Sequence, residues 1–143
     1  IEQNVRAIGA SADALAVAQA NAARLQLPVQ FAQGHWLQNV VQGPFDLIVS
    51  NPPYIAAADP HLAALTHEPL SALASGADGL DDIRTIIDEA RTQLKPAGWL
   101  LLEHGWDQSA AVQQLLSAAG FSDIQSKADL AGIARCTGGS MKP

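Results

Sequence analysis

The sequence holds a single cysteine, Cys136, among its 143 residues. With no second thiol there can be no internal disulfide, so the fold asks nothing of an oxidising compartment and a cytoplasmic location is expected. No apolar run approaches the ~18 residues that a bilayer-spanning helix needs, so membrane association is not expected. Charge is sparse at 15% of residues, and positive charge sparser still: eight Lys and Arg against fourteen Asp and Glu leave a net charge of -6. Such a surface repels a phosphate backbone and offers little counterion release, which makes nucleic acid a poor partner. Glycine is nearly absent at the start, Gly9 being the only one in the first thirty residues. The opening Ile1-Glu2-Gln3-Asn4 has no Met, and no charged stretch followed by an apolar one, so a signal peptide is not expected and the start reads as the middle of something longer. What is abundant is apolar side chain, 48% of the chain, enough to build one globular core without internal repeats.

Strands and helices alternate along the chain. Val5-Arg6-Ala7-Ile8 reads as a strand stopped by Gly9. Ser11 then offers a helix N-cap, with Asp13 in the first turn, Leu15, Ala18, Ala22 and Leu25 on one face, and Pro28 as the stop. Residues 29–32 and 45–49 read as further strands, the latter ending at Asn51-Pro52-Pro53. Residues 56–79 have weak periodicity and are expected to form a long loop with a helical turn, a length usually tied to function. A clear helix follows, with Asp81 and Asp82 at its start, Ile83, Ile86, Ile87, Ala90 and Leu94 on one face, and Pro96-Ala97-Gly98 at its end. Residues 99–103 read as a strand, 109–119 as a helix closed by Gly120, and 123–127 and 133–137 as two last strands. This alternation is the signature of an α/β fold built on a mainly parallel sheet. Ligands of such sheets bind beyond the carboxyl ends of the strands, here Gly9, Gly34, Ser50 and His104.

One motif stands out. Two adjacent prolines arise by chance about once in 400 positions, and Asn51-Pro52-Pro53-Tyr54 adds an Asn and a Tyr at a strand end. The bland reading is a rigid stop, because proline fixes φ, removes donors and forces the preceding residue to be extended. The chemical reading starts from a planar nitrogen whose lone pair is delocalised into a neighbouring π-system. An enzyme that alkylates it must draw that lone pair back. The Asn51 side-chain carbonyl and the Pro52 backbone carbonyl can each accept one N–H on a segment too stiff to swing away. Tyr54 supplies a face on which a flat amide or base can lie and beside which a sulfonium is tolerated. Neither a metal nor a nucleophilic side chain is required.

Together with Glu68-Pro69-Leu70, Asp78-Gly79-Leu80, Leu102-Glu103-His104-Gly105 and Asp129-Leu130-Ala131-Gly132, this motif resembles the HemK/PrmC-type protein-(glutamine-N5) methyltransferases over nearly the whole chain. The resemblance implies a Rossmann-like S-adenosylmethionine-dependent methyltransferase sheet, mainly parallel with an antiparallel last strand. It implies methyl transfer from S-adenosylmethionine to the glutamine of the Gly-Gly-Gln motif in a peptide chain release factor, with Asn51, Pro52, Pro53 and Tyr54 on the substrate. Trp36 is implied against the adenine with His35 nearby, and Asn51 faces the cofactor as well. The family's first strand and glycine-rich turn are missing from this sequence, and Gly9 stands where the family has a ribose-binding acid. On that mapping residues 1–139 are a partial catalytic domain with a polar tail at 140–143, and the missing strand lies between those at Val5 and Phe45. The strand edges so exposed would be open to pairing between copies, a homo-oligomer.

Two other functions fit the tetrapeptide: methylation of an adenine exocyclic amine, which the charge disfavours, and a non-catalytic fragment that keeps only the substrate loop. Elsewhere the plain readings come first. Cys136 is read as a small buried hydrophobe, His61 and His67 lack metal-ligand spacing, and His104 is read as a satisfied strand-end contact. Trp99 and Trp106 are read as packing, and Glu68 as a solvated loop carboxylate.

Overall fold

The computed structural model describes residues 4–38, 43–65, 67 and 69–143, with the side chains of Ala63 and Ser71 set aside. The chain divides into two compact units, Ile1–Gln42 and Gly43–Pro143. The first contains β1 (Val5–Gly9), α1 (Ala12–Arg24) and β2 (Val29–Gln33). β1 and β2 pair in parallel, Val5 opposite Val29 through Gly9 opposite Gln33, so this unit is one βαβ crossover. Ser11 caps α1 as expected, its hydroxyl accepting from the Ala14 amide at 3.2 Å. The expected apolar face is only partly covered. Ala22 alone is buried and Leu25 is exposed, because a single helix on two strands has little to bury it.

The second unit contains β3 (Phe45–Ser50), α2 (Asp81–Gln93), β4 (Leu94–Glu103), α3 (Ser109–Ala118), β5 (Ser122–Ala128) and β6 (Ala134–Ser140). Its sheet runs in the order β3-β4-β6-β5, with β3 and β4 parallel and β6 antiparallel to both of its neighbours. Ile83, Ile86, Ile87 and Ala90 of α2 are buried with Leu100 and Leu102 of β4, and Val112 and Leu116 of α3, into the core. The expected α2 face is therefore the observed one, except at Leu94. That residue is buried as the first of β4, opposite Phe45, and the Pro96-Ala97-Gly98 turn bulges out of the strand before Trp99 pairs with Leu47. Met141 secures the turn: its carbonyl accepts from the Ala97 amide at 3.1 Å and its amide donates to Gly98 at 2.8 Å. β6 thus takes in Ser140, the first residue of the segment read as a tail.

Among the described residues β1 pairs only with β2, and β3 only with β4. β3 accordingly carries exposed Leu47 and Val49, where a parallel strand paired and covered on both sides would hide them. The long loop contains two 3₁₀ turns, Pro60–Ala64 and Leu70–Ala72, and Ile55 bridges to Ala74. No described helix is long and apolar enough to cross a membrane.

Candidate functional site

β3 ends at Ser50 because two prolines follow that cannot donate to a ladder. Pro52 is buried and anchors the turn, while Asn51 is exposed. Among the described residues the Asn51 side chain and the Pro52 carbonyl have no hydrogen-bond partner. Beyond the motif the chain is tied down again: the Ile55 amide donates to Leu73 at 2.9 Å, and the Ser75 amide donates back to Ile55 at 2.9 Å. The tetrapeptide is therefore a short rigid arch, fixed at both feet.

Tyr54 is held from three directions. Its carbonyl accepts from Gln108 Nε2 at 2.9 Å, and its hydroxyl donates to Glu103 Oε1 at 3.3 Å. Arg135 Nη2 donates to that same hydroxyl at 3.1 Å, its guanidinium carbon lying 5.5 Å from the ring centroid. Partial burial raises the phenol's pKa above the ordinary value, with the Glu103 carboxylate adding to the rise and the Arg135 cation opposing it.

The loops around the arch are built to reach it. Gly79 has φ +77°, and a Cβ there would collide with the Tyr54 carbonyl and come within 2.8 Å of Gln108 Nε2, so only glycine lets the Asp78-Gly79-Leu80 loop approach. Asp78 accepts from the Leu80 amide at 3.1 Å and grips Arg84 with both carboxylate oxygens; the Arg84 bonds lower its pKa to about 2. Ser75 caps α2 from outside the helix, its hydroxyl accepting from the Asp82 amide at 2.7 Å. Gln108, buried at the start of α3, is the hub: Oε1 accepts from the Gly105 amide at 2.7 Å, and Nε2 reaches Asp78 at 3.3 Å as well as Tyr54.

His104 is fully buried, with Nδ1 2.9 Å from the Gly105 carbonyl and Nε2 2.7 Å from the Thr137 hydroxyl. A carbonyl can only accept, so Nδ1 is the donor to Gly105, while the Thr137 hydroxyl completes the contacts of the ring at Nε2. This is the satisfied strand-end contact expected of it. At the far end of the hairpin Asp129 Oδ1 accepts from the Ala131 and Ile133 amides at 2.8 and 3.0 Å, and Gly132 turns with φ +82°. On the other side of β6, Glu103 of β4 faces Cys136 and the His104 amide donates to the Arg135 carbonyl at 3.0 Å.

The sequence-derived candidates fall into two sets. Asn51, Pro52, Pro53 and Tyr54 are brought together with Glu103 in the second unit. His35 and Trp36 belong to the first, just beyond β2, their rings 5.2 Å apart, with His35 exposed and Trp36 half-buried at φ +53°. β1 ends at Gly9, which carries no side chain, so no carboxylate stands at that strand end. Glu68 lies outside the described residues. Trp106 is exposed rather than packed, because it follows the Gly105 turn away from the core, and Cys136 is half-buried. His61 makes a local contact, Nδ1 lying 2.8 Å from Asp59 Oδ1. Two residues escaped the sequence reading. Gln108 lies just before the apolar pattern of its helix, and Arg135 sits inside a strand pattern, where its one available signal is that it is the only charge in the run 133–137.

Residues 1–126 match the methyltransferase small domain family. The release factor glutamine methyltransferase of Pseudomonas aeruginosa is 47% identical over 136 residues, covering 93% of this chain and 49% of that protein. The enzyme of the same name from Xylella fastidiosa is 48% identical over 141 residues, covering 96% and 51%. The chain thus spans about half the length of these curated relatives. Among solved structures, a methyltransferase from Pyrococcus furiosus superposes with a TM-score of 0.75 at 18% identity, over 98% of this chain and 64% of that one. The 16S rRNA N2 G1207 methyltransferase of Thermus thermophilus, in complex with AdoMet and guanosine, gives 0.69 at 17% identity, over 97% and 32%. These likenesses show a Rossmann-like methyltransferase fold. Taken with the strand-end arch, they place this α/β chain in the methyltransferase small domain family.

Proposed function

We propose that this chain carries the substrate-gripping part of a protein-glutamine N-methyltransferase, which methylates the side-chain amide nitrogen of the glutamine in the Gly-Gly-Gln motif of a peptide chain release factor. The observation that carries the reading is the arch after β3, with an exposed Asn51, a buried Pro52 and a Tyr54 ring fixed beside them. A primary carboxamide has two N–H bonds, and the two acceptors of the arch match them one to one. Held that way, the nitrogen cannot rotate, and electron density is returned to it as the N–H bonds polarise toward the acceptors. The tertiary amides of Pro52 and Pro53 carry no N–H of their own. Tyr54 offers its ring to the flat face of the amide.

S-adenosylmethionine supplies the methyl group when bound. Within the first unit, Trp36 and His35 form an aromatic pair just beyond β2 suited to an adenine. At the end of β1 Gly9 offers the ribose no carboxylate. The relatives named for release factors support the glutamine substrate, and the net charge of -6 argues against a nucleic-acid one.

Incubation with methyl-labelled S-adenosylmethionine and either a release factor or an adenine-containing oligonucleotide tests the reading. Label recovered on the Gly-Gly-Gln peptide is the expected result. Label on the oligonucleotide alone, or on neither, would overturn it.

A further inference from the structure

Arg135 and Glu103 carry opposite charges on neighbouring strands, yet among the described residues neither forms an ion pair; both meet at the Tyr54 hydroxyl, at 3.1 and 3.3 Å. Two charged side chains are thereby committed to one phenol. Their own backbones are set by the β4–β6 ladder, where Glu103 faces Cys136 and the His104 amide donates to the Arg135 carbonyl. The ring's other end is held through the Tyr54 carbonyl by Gln108. We propose that Arg135 is a positioning residue, which with Glu103 fixes the Tyr54 ring so that Tyr54 presents its face, and not its hydroxyl, to the substrate amide. This rests on the methyl-transfer reading above.

The chemistry of a phenol supports the assignment. The hydroxyl has a single hydrogen, which is given to Glu103, and it accepts the Arg135 N–H. It therefore has no proton to donate to the amide oxygen and can add specificity only through the ring. The cation and the carboxylate offset one another, so the site keeps no net charge from the pair, as suits a neutral carboxamide.

Tyr54 is the only tyrosine in the chain, so its ionisation can be followed by ultraviolet difference absorbance without interference from another phenol. In the Arg135→Met protein the phenol loses a cation and a donor, and it should ionise at higher pH than in the parent; Arg135→Lys should restore part of the difference. An unchanged titration would overturn the tether. For catalysis, Arg135→Met should lower kcat/KM for a Gly-Gly-Gln substrate between about 10- and 100-fold, the range expected when a positioning group is lost, with S-adenosylmethionine affinity unchanged. In a Tyr54→Phe background the same substitution should have no further effect, because the hydroxyl it acts through is gone. An equal loss in both backgrounds would mean that Arg135 acts on the substrate directly and would overturn the inference. Absence of transfer by the unsubstituted protein would instead sink the methyl-transfer reading and the positioning role together, with the titration still reporting the tether.

Discussion

Gln108 joins three loops, and its removal tests whether the arch is held by that joint. Its amide satisfies the Gly105 N–H at 2.7 Å and the carbonyls of Tyr54 and Asp78 at 2.9 and 3.3 Å, from a buried position. Gln108→Met keeps the length and volume of the side chain while deleting every bond. A net hydrogen bond contributes about 1 kcal/mol, and a buried group left without a partner costs about 1–3 kcal/mol. Counting the two short bonds fully and the 3.3 Å contact as weak, the loss should be about 2–3 kcal/mol. Gln108→Glu should lose at least as much at neutral pH: it keeps an acceptor for Gly105 but turns an oxygen toward two carbonyls. Urea denaturation of the second unit, followed by tryptophan fluorescence, measures the change as a shift in midpoint at constant slope. Amide hydrogen exchange should report faster opening at Gly105. A Gln108→Met protein within about 0.5 kcal/mol of the parent would refute the idea that this side chain holds the arch in place.

Three further outcomes follow from the same geometry. Gly79→Ala places a Cβ against the Tyr54 carbonyl at φ +77°, and should destabilise by about 1–2 kcal/mol from backbone conformation alone while lowering transfer; the denaturation midpoint reads the first and the kcat/KM for a Gly-Gly-Gln substrate the second. Asp78 has its pKa lowered to about 2 by Arg84, so its ionised form is favoured in the folded protein and its contribution is complete above the unfolded carboxyl's ordinary range. The gap in stability between the parent and Asp78→Asn should therefore be constant at neutral pH and close as pH falls from about 4 toward 2, and, since both partners are half exposed, should not exceed about 1 kcal/mol. Leu102→Ala, at a fully buried position on β4, should cost about 2–5 kcal/mol by calorimetry or denaturation.

Much of this arrangement was legible because it is local. The Ser11 cap, the α2 stripe at Ile83, Ile86, Ile87 and Ala90, and the stop at Pro52 and Pro53 are each decided within a few residues. Leu94 misled because its apolar side chain continues the helical period, whereas its backbone is claimed by pairing with Phe45, a partner 49 positions away. Leu25 departs from the expected helical face for a related reason: an apolar residue states a preference for burial, and only the neighbouring layer decides whether burial is on offer. At the site, the arch could be read from Asn51 to Tyr54, but its supports could not. Arg135 meets Tyr54 across 81 positions, and nothing in a five-residue strand window announces a phenol on the other side of a turn. The Asp78-Gly79-Leu80 segment stands out in the sequence only by resemblance; its physical meaning, a glycine admitted against a carbonyl, is visible only in three dimensions.

The central claim is that Asn51 and Pro52 grip a carboxamide through both of its hydrogens. It is tested most directly by Asn51→Ala, comparing single-turnover methyl transfer to a Gly-Gly-Gln substrate with S-adenosylmethionine affinity measured on the same protein. Losing one positioned acceptor removes an interaction that matters most in the transition state, so transfer should fall by at least about 100-fold while cofactor affinity stays within about tenfold. Transfer that survives the substitution at near-parent rates would contradict the account.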